Sequence, residues 1–152
     1  MYNELSKKFA EVKDLDVQGV GDKIGGKVKL NIDNGTFENA CALRMSYAFN
    51  EEGTRKIKSS DGAVSSGKAS SDGSKDWYLY RVNDFKKMLD NNFDDKETTN
   101  DINNLKGKKG IIVFEDCGFS NATGHVDLYD GKQVEGSDYS NISKKMTLYK
   151  IE

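Results

Sequence analysis

Cys41 and His125 are the two residues whose types could together support nucleophilic catalysis. Cys41 is predicted to lie in the first turn of a helix over residues 40–49, two residues after Asn39, which is placed to cap that helix. The free N–H groups and the positive end of the helix dipole favour a thiolate there, the nucleophilic form of cysteine. His125 is the only histidine in the chain, and it is therefore the candidate base near neutral pH. Each residue also has a simpler explanation by itself, because cysteine is often a small buried hydrophobe and a lone histidine in a strand is often structural.

A third polar group is expected to orient the imidazole and to select its tautomer. The chain offers three carboxylates for this role: Asp127, Glu135 and Asp138. Asp127 shares a strand face with His125 and is expected to line the site and contact substrate. Glu135 and Asp138 are the better candidates to reach the far ring nitrogen, and the sequence does not choose between them. Arg44 is a candidate to hold a substrate carboxylate, with a solvated helix arginine as the alternative.

Cys117 follows the apolar run at residues 110–114 and has no histidine near it in sequence. It is either a buried thiol or the disulfide partner of Cys41, and that disulfide would block the proposed chemistry. One histidine and two cysteines, far apart, lack the ligand spacing of a zinc site. The glycine-rich segment GVGDKIGG lacks the lysine-serine or lysine-threonine ending of a phosphate loop. The sequence therefore predicts no metal site and no cofactor.

Length and composition indicate one domain spanning residues 1–152, long enough to close a single hydrophobic core. Aromatic residues make up 10% of the chain, which argues against disorder. The net charge of -2 gives no general attraction to nucleic acid, and no apolar stretch suits membrane insertion. The N-terminal residues lack the apolar centre of a secretory signal. A soluble protein made in the cytoplasm is therefore expected.

Apolar spacing predicts helices in the first part of the chain. The opening helix is indicated by a near-helical recurrence of Tyr2, Leu5, Phe9 and Val12. A later helix, capped by Asn83, is indicated by the stripe of Phe85, Met88 and Leu89. Residues 19–33 are predicted to form a loop leading into short extended structure. Residues 56–76 are predicted to be a flexible Ser/Gly-rich loop or a weak hairpin, and residues 94–104 read as polar.

Strand patterns dominate the last third. Residues 77–82 alternate as a short strand would, and residues 110–114 are a continuous apolar run of buried-strand length. Residues 124–129 alternate, with His125, Asp127 and Tyr129 on one side. A closing strand is predicted around residues 146–149. Helices first and strands afterwards indicate an α+β domain with an antiparallel sheet.

Five segments, in order, resemble the type VI secretion amidase effectors of the fourth family, within the NlpC-type, papain-like cell-wall peptidases. These segments are IGGKVKLN, NACALRMSYAFNEEG, WYLYRVNDF, LKGKKGIIVFED and TGHVDLYDG. A helix cysteine followed much later by a strand histidine is also the order of papain-like enzymes, where the two meet only in the fold. The resemblance runs from about Gly25 to the closing TLYKI segment. Tyr129 and Tyr149 stand where tryptophan is expected, and the serine-rich stretch at residues 59–74 is untypical.

This resemblance implies a papain-like (NlpC-type) single domain, with the nucleophile helix packed on an antiparallel sheet. It implies Cys41 and His125 as catalytic residues, and an aspartate after the histidine strand, for which Glu135 or Asp138 is available. It implies hydrolysis of the amide between D-glutamate and meso-diaminopimelate in peptidoglycan stem peptides. It also implies a toxin injected by the type VI secretion machinery into the periplasm of rival cells, and a cognate immunity protein that plugs the groove. That route accounts for a chain without a signal peptide.

The predicted function is a cysteine-dependent peptidoglycan amidase acting as an antibacterial effector. One alternative is another papain-like reaction, such as acyl transfer or cleavage of a different stem-peptide bond. Such a reaction would release different fragments. A second alternative is a catalytically silent peptidoglycan-binding or adaptor module on the same scaffold. Such a module would bind the cell wall without producing new amine termini.

Overall fold

Five α-helices and six β-strands form the described part of the chain. The structure, a computed structural model, describes residues 1–34, 40–69, 75–118 and 124–151. The helices are α1 (Tyr2–Ala10), α2 (Val17–Ile24), α3 (Gly26–Asp33), α4 (Cys41–Glu52) and α5 (Val82–Asn92). The strands are β1 (Val64–Ala69), β2 (Lys75–Tyr78), β3 (Lys96–Thr99), β4 (Gly110–Glu115), β5 (Gly124–Tyr129) and β6 (Lys145–Lys150). Within these ranges no helix has the length and apolar content to cross a membrane.

The central sheet has the strand order β3–β6–β4–β5, and every neighbouring pair is antiparallel. Because successive strand residues point to opposite faces, Ile111 and Val113 join the main core with the helices. Ile112 and Phe114 join a smaller core on the other face. Helix α4 packs against β5. The predicted α+β fold, with the helix that carries Cys41 lying on an antiparallel sheet, is confirmed.

Residues 17–33 fold as two helices, so the prediction of a loop and extended structure over residues 19–33 is wrong. The buried residues of α2 and α3 share a four-residue spacing: Val20, Ile24, Val28 and Ile32. Within each helix this spacing places the two residues on one face, Val20 with Ile24 on α2 and Val28 with Ile32 on α3. The Asp16 side chain caps α2 by accepting the Gly19 N–H at 2.7 Å, and Gly25, with φ of 73°, separates α2 from α3. The glycines thus permit a helix–helix turn here and do not mark extended structure.

The other predicted helices are confirmed, with shifted ends. Helix α1 buries Tyr2, Leu5 and Phe9 as predicted. Helix α5 buries its predicted apolar stripe, but its N-cap is Arg81 and not Asn83. The strand predicted over residues 77–82 is shorter, because β2 ends at Tyr78 and α5 begins at Val82.

Strand β3 lies in the polar segment of residues 94–104, where the sequence predicts no element. It is an edge strand that pairs with β6, and its side chains alternate between exposed and half-buried positions. An edge strand of this kind has no apolar run. The Thr98 and Thr147 hydroxyls lie 3.1 Å apart across the pair, so hydroxyl contacts replace apolar packing.

Residues 56–76 contain a short 3₁₀ helix at Ser59–Asp61 and the antiparallel pair β1–β2. The sequence predicts either a flexible loop or a weak hairpin for this segment, and the structure contains the paired strands of a hairpin. Residues 70–74 lie outside the described residues, and the predicted flexibility of the segment stays a prediction.

Candidate active site

The start of α4 fixes the position of Cys41. Cys41 is the first residue of the helix, Ala40 is its N-cap without a side-chain cap, and Asn39 lies outside the described residues. The helix therefore starts one residue later than the sequence predicts. Cys41 is buried, and α4 is buried on most of its surface. The thiol thus sits on a rigid element, near the free N–H groups of the first turn.

Strand β5 presents His125 to this thiol. The imidazole hydrogen-bonds with Cys41, and its Nε2 lies 2.7 Å from Asp127 Oδ2. Because Nε2 is occupied by the carboxylate, Nδ1 is the nitrogen left for the thiol. The ring stacks on Phe114 at a centroid distance of 6.1 Å and meets the edge of Tyr139 at 4.8 Å. Packing and hydrogen bonds together hold the imidazole in one orientation.

Asp127 lies in a cradle of backbone N–H groups. Its Oδ1 accepts from Leu128 N at 2.8 Å and from Gly136 N at 2.9 Å, and its Oδ2 accepts from Ser137 N at 2.9 Å. With His125, these donors occupy the four lone-pair positions of an ionised carboxylate. The side chain is 1% exposed, so Asp127 is a buried partner of the imidazole and not an open substrate contact.

The cradle forms because the chain folds back along β5 after a turn. Val134 forms an isolated bridge with Tyr129, and the Glu135 N–H donates to Leu128 O at 2.9 Å. The next residue, Gly136, then lies directly against the Asp127 carboxylate. A Cβ at position 136 would lie 2.4 Å from Asp127 Oδ2, so the close approach requires glycine.

These contacts contradict the prediction that Glu135 or Asp138 orients His125. Glu135 accepts hydrogen bonds from Tyr2 Oη and from Ser6 Oγ on α1, the latter at 2.7 Å. Asp138 is exposed and accepts from Ser140 N at 2.8 Å. The physical reason is the period of a strand. Residues at i and i+2 share a face, which brings the Asp127 carboxylate to the ring directly.

The environment of His125 favours its protonated form. Burial by itself lowers the pKa of His125, but the hydrogen bonds and charges of Asp127 and Cys41 outweigh burial and raise this pKa to about 9. His125 is therefore a cation at neutral pH.

A cavity of about 20 Å³ opens beside the thiol. Besides the cysteine, histidine and aspartate, it is lined by Phe9, Lys13, Arg44 and Ser137. Arg44 Nη2 donates to Leu15 O at 2.8 Å, and Arg44 Nε is buried without a hydrogen-bond partner. Arg44 thus lines the site, and its contact with a substrate carboxylate stays a prediction. Lys13 also lies there, and no motif in the sequence marks it.

Both cysteines are free, so the disulfide that would block the chemistry is not formed. Cys117 is half-buried, and its Sγ lies 3.7 Å from Glu115 O. Burial raises the pKa of the Cys117 thiol. Among the described residues, Ser143 and Asp116 influence this thiol and no cation does, whereas Cys41 contacts His125.

Residues 37–149 match the model of the family described as type VI secretion system (T6SS), amidase effector protein 4, or Tae4. The chain is similar to the effector Tae4 from Salmonella typhimurium in complex with the immunity Tai4 from Enterobacter cloacae, with 34% identity over 99% of this chain and 98% of that one, and a TM-score of 0.82. It is similar to the effector in the type VI effector–immunity complex Tae4–Tai4 from Salmonella Typhimurium, with 34% identity over 99% and 97% of the two chains and a TM-score of 0.83. It is also similar to the type VI effector Tae4 from Enterobacter cloacae, with 31% identity over 99% and 96% and a TM-score of 0.80. The curated proteins contain no significant match.

Proposed function

The chain belongs to the type VI secretion system amidase effector protein 4 family, and from this premise we propose that it is an NlpC-type, papain-like cysteine amidase. Its proposed substrate is the amide between D-glutamate and meso-diaminopimelate in peptidoglycan stem peptides. The observation that carries the proposal is the contact of His125 with both Cys41 and Asp127. This set combines a nucleophile, a base and an orienting carboxylate.

The reaction begins with the Cys41 thiolate and protonated His125. The thiolate sulfur attacks the scissile carbonyl carbon, and the electron pair of the C=O bond moves to oxygen. Backbone N–H groups at the start of α4, which have no partner within the helix, stabilise the resulting oxyanion. His125 then gives its proton to the leaving nitrogen as the C–N bond breaks. The products of this step are a thioester on Cys41 and a free amine.

Deacylation uses the same residues in reverse. Neutral His125 removes a proton from water, the hydroxide oxygen attacks the thioester carbonyl, and Cys41 leaves as a thiolate. Of the two other groups in the proposed reaction, Asp127 touches only the imidazole. Its role is to hold Nδ1 toward the sulfur and to stabilise the imidazolium. We assign to Asp127 the orienting role that the sequence alone gave to Glu135 or Asp138.

The proposed site of action is the periplasm of a target cell, reached through the type VI secretion machinery. Two of the three solved structures named above are effectors in complex with a Tai4 immunity protein. By similarity, we propose that a cognate immunity protein of the producing cell binds this chain and blocks its groove. We further propose that residues 1–152 act as one amidase domain in which residues 56–76 are flexible.

The proposed bond is tested with a defined disaccharide tetrapeptide containing meso-diaminopimelate. After digestion, mass spectrometry should find one fragment ending in D-glutamate and one beginning with a free diaminopimelate amine. Fragments from cleavage of another stem-peptide bond would support amidase activity but with a different bond specificity. Tight binding without any new amine would indicate the binding module.

A further inference from the structure

Tyr139 lies against the imidazole of His125, although no step of the proposed reaction uses it. The centroids of these two rings lie 4.8 Å apart, and their planes are inclined by 68°. Tyr139 also lies 6.2 Å from the ring of Phe114, at 75°, and Phe114 stacks on the imidazole with an angle of 21° between the planes. The imidazole therefore has one aromatic neighbour nearly parallel to its plane and another steeply inclined to it.

The turn that carries Tyr139 is anchored to the end of β4. The Tyr139 carbonyl accepts from Ile142 N at 3.1 Å and from Ser143 N at 2.9 Å. The Ser143 hydroxyl lies 2.6 Å from Glu115 O, to which it donates. Glu115 directly follows Phe114, the residue that pairs with His125 across β4 and β5. Backbone hydrogen bonds thus fix the inclined ring to the same strand that supplies the parallel one.

The hydrogen bonds of His125 leave a demand that these rings can meet. The imidazole Nε2 lies 2.7 Å from Asp127 Oδ2, and the same ring hydrogen-bonds with Cys41. A half-turn about the Cβ–Cγ bond would put ring carbons where the two nitrogens are and would break both contacts. The histidine χ2 torsion is broad and roughly two-fold, so it does not by itself select one of these orientations. Rings packed on the imidazole narrow the space through which it would have to turn.

Tyr139 is set back from the substrate cavity. It is not among the described residues that line this cavity, which include His125, Asp127 and Ser137. Tyr139 is half-buried against the smaller core, on the sheet face that carries Phe114. Any contribution of its ring to the reaction must therefore pass through the imidazole.

We propose that Tyr139 is a positioning residue of the amidase, and that its ring holds His125 with Nε2 on Asp127 and Nδ1 toward Cys41. The inference rests on the proposed function and adds to it a residue that acts only through the base. The aromatic ring performs this role and the hydroxyl is not needed. Phenylalanine should therefore replace Tyr139, and a side chain without a ring should not.

The kinetic test compares Tyr139→Phe with Tyr139→Leu on a defined stem peptide containing meso-diaminopimelate. Tyr139→Leu should lower kcat about 10- to 100-fold with little change in KM, because the base is misplaced while the substrate contacts remain. Tyr139→Phe should stay near wild type. Ile102→Ala is the matched control, since Ile102 is partly buried against the same smaller core; it should melt earlier and keep wild-type kcat.

A second measurement reads the imidazole directly and does not depend on turnover. His125 is the only histidine in the chain, so labelling histidine with ¹⁵N gives nuclear magnetic resonance signals of this one ring. Wild type should show a low-field Nε2–H proton that is protected from exchange by its hydrogen bond to Asp127. This signal should persist in Tyr139→Phe and Ile102→Ala and should broaden or vanish in Tyr139→Leu. A residue that only stabilised the fold would lower Tm and leave the signal unchanged.

The outcomes separate this inference from the proposed function. Wild-type kcat and an unchanged imidazole signal in folded Tyr139→Leu would overturn the positioning role. Equal losses in Tyr139→Phe and Tyr139→Leu would also overturn it, because the hydroxyl would then be the required group. If Tyr139→Leu does not fold, Tyr139→Met decides the question, since methionine fills irregular space without a ring. A wild-type protein that cleaves no stem peptide overturns the proposed function, while the imidazole signals still decide whether Tyr139 orients His125.

Discussion

Replacing Gly136 with alanine should disable the site without altering any side chain that takes part in the proposed reaction. The added Cβ would lie 2.4 Å from Asp127 Oδ2 and 3.0 Å from both Cγ and Oδ1, closer than non-bonded atoms approach. Gly136 is not among the glycines with positive φ, so alanine adds no backbone strain there. The whole effect is therefore a steric displacement of the Asp127 carboxylate from its cradle.

The magnitude follows from the contacts that the displacement breaks. The Gly136 and Ser137 amides each donate to this carboxylate at 2.9 Å, and a hydrogen bond to a charged group contributes about 1.5–3 kcal/mol. With partial relaxation, a loss of about 2–4 kcal/mol of unfolding free energy is expected, which lowers Tm by roughly 5–15 °C in a domain of this size. Mispositioning the imidazole should lower kcat by about 10²- to 10⁴-fold with little change in KM.

The assay is cleavage of a defined stem peptide, with thermal unfolding measured by circular dichroism on the same samples. Gly21→Ala is the control, because the atoms nearest to its Cβ would belong to Ile32 and Lys29, at 3.0 Å or more, and neither residue lines the cavity. It should keep wild-type kcat. A Gly136→Ala protein that melts early but keeps wild-type kcat would refute the link between the cradle and His125. Unchanged melting and unchanged kcat would refute the steric argument itself.

Three further predictions test neighbouring parts of the site. Asp127→Asn should lower kcat by about 10²- to 10⁴-fold while Asp138→Asn stays near wild type, and the reverse order in a kinetic assay would restore the orienting role to Asp138. Because the pKa of His125 is raised to about 9, its stabilising contribution is full below about pH 6.5 and is lost as pH rises through 9. Because the leaving nitrogen takes its proton from His125, activity should also decline near pH 9. In Asp127→Asn this decline should move to lower pH, and coincident pH–rate profiles of wild type and variant would contradict the assignment. Glu135→Gln should weaken the hydrogen bonds between α1 and the segment that carries the cradle. It should lower the unfolding free energy by about 1–3 kcal/mol, measured by urea denaturation. Its effect on kcat should be much smaller than that of Asp127→Asn. Equal kcat losses in the two variants would give Glu135 a direct role at the imidazole.

The elements predicted correctly are those whose apolar residues repeat with one clear period. The run at residues 110–114 and the alternation at residues 124–129 became β4 and β5. The four-residue spacing of Val20, Ile24, Val28 and Ile32 is equally regular, but the interspersed glycines favoured a loop. Glycine disfavours a helix by about 1 kcal/mol per residue, and burial of a complete apolar face outweighs that cost.

The site was only partly predictable, because its contacts join distant segments. The papain-like order of a helix cysteine and a strand histidine was enough to suggest that Cys41 and His125 meet. The choice of acid depended on the turn after β5, which brings the Gly136 and Ser137 amides onto Asp127. No local pattern encodes that turn geometry. No sequence pattern marks Lys13 as a site residue, because only the fold brings it close to Cys41.

The most direct test of cysteine-dependent amidase activity is digestion of purified, diaminopimelate-containing peptidoglycan under reducing conditions. The comparison includes the wild-type, Cys41→Ala and Cys117→Ala proteins. The released fragments are separated, and their masses are measured by mass spectrometry. We predict stem-peptide cleavage by wild type and by Cys117→Ala, and none by Cys41→Ala. Intact wall after incubation with wild type, or undiminished cleavage by Cys41→Ala, would contradict the account.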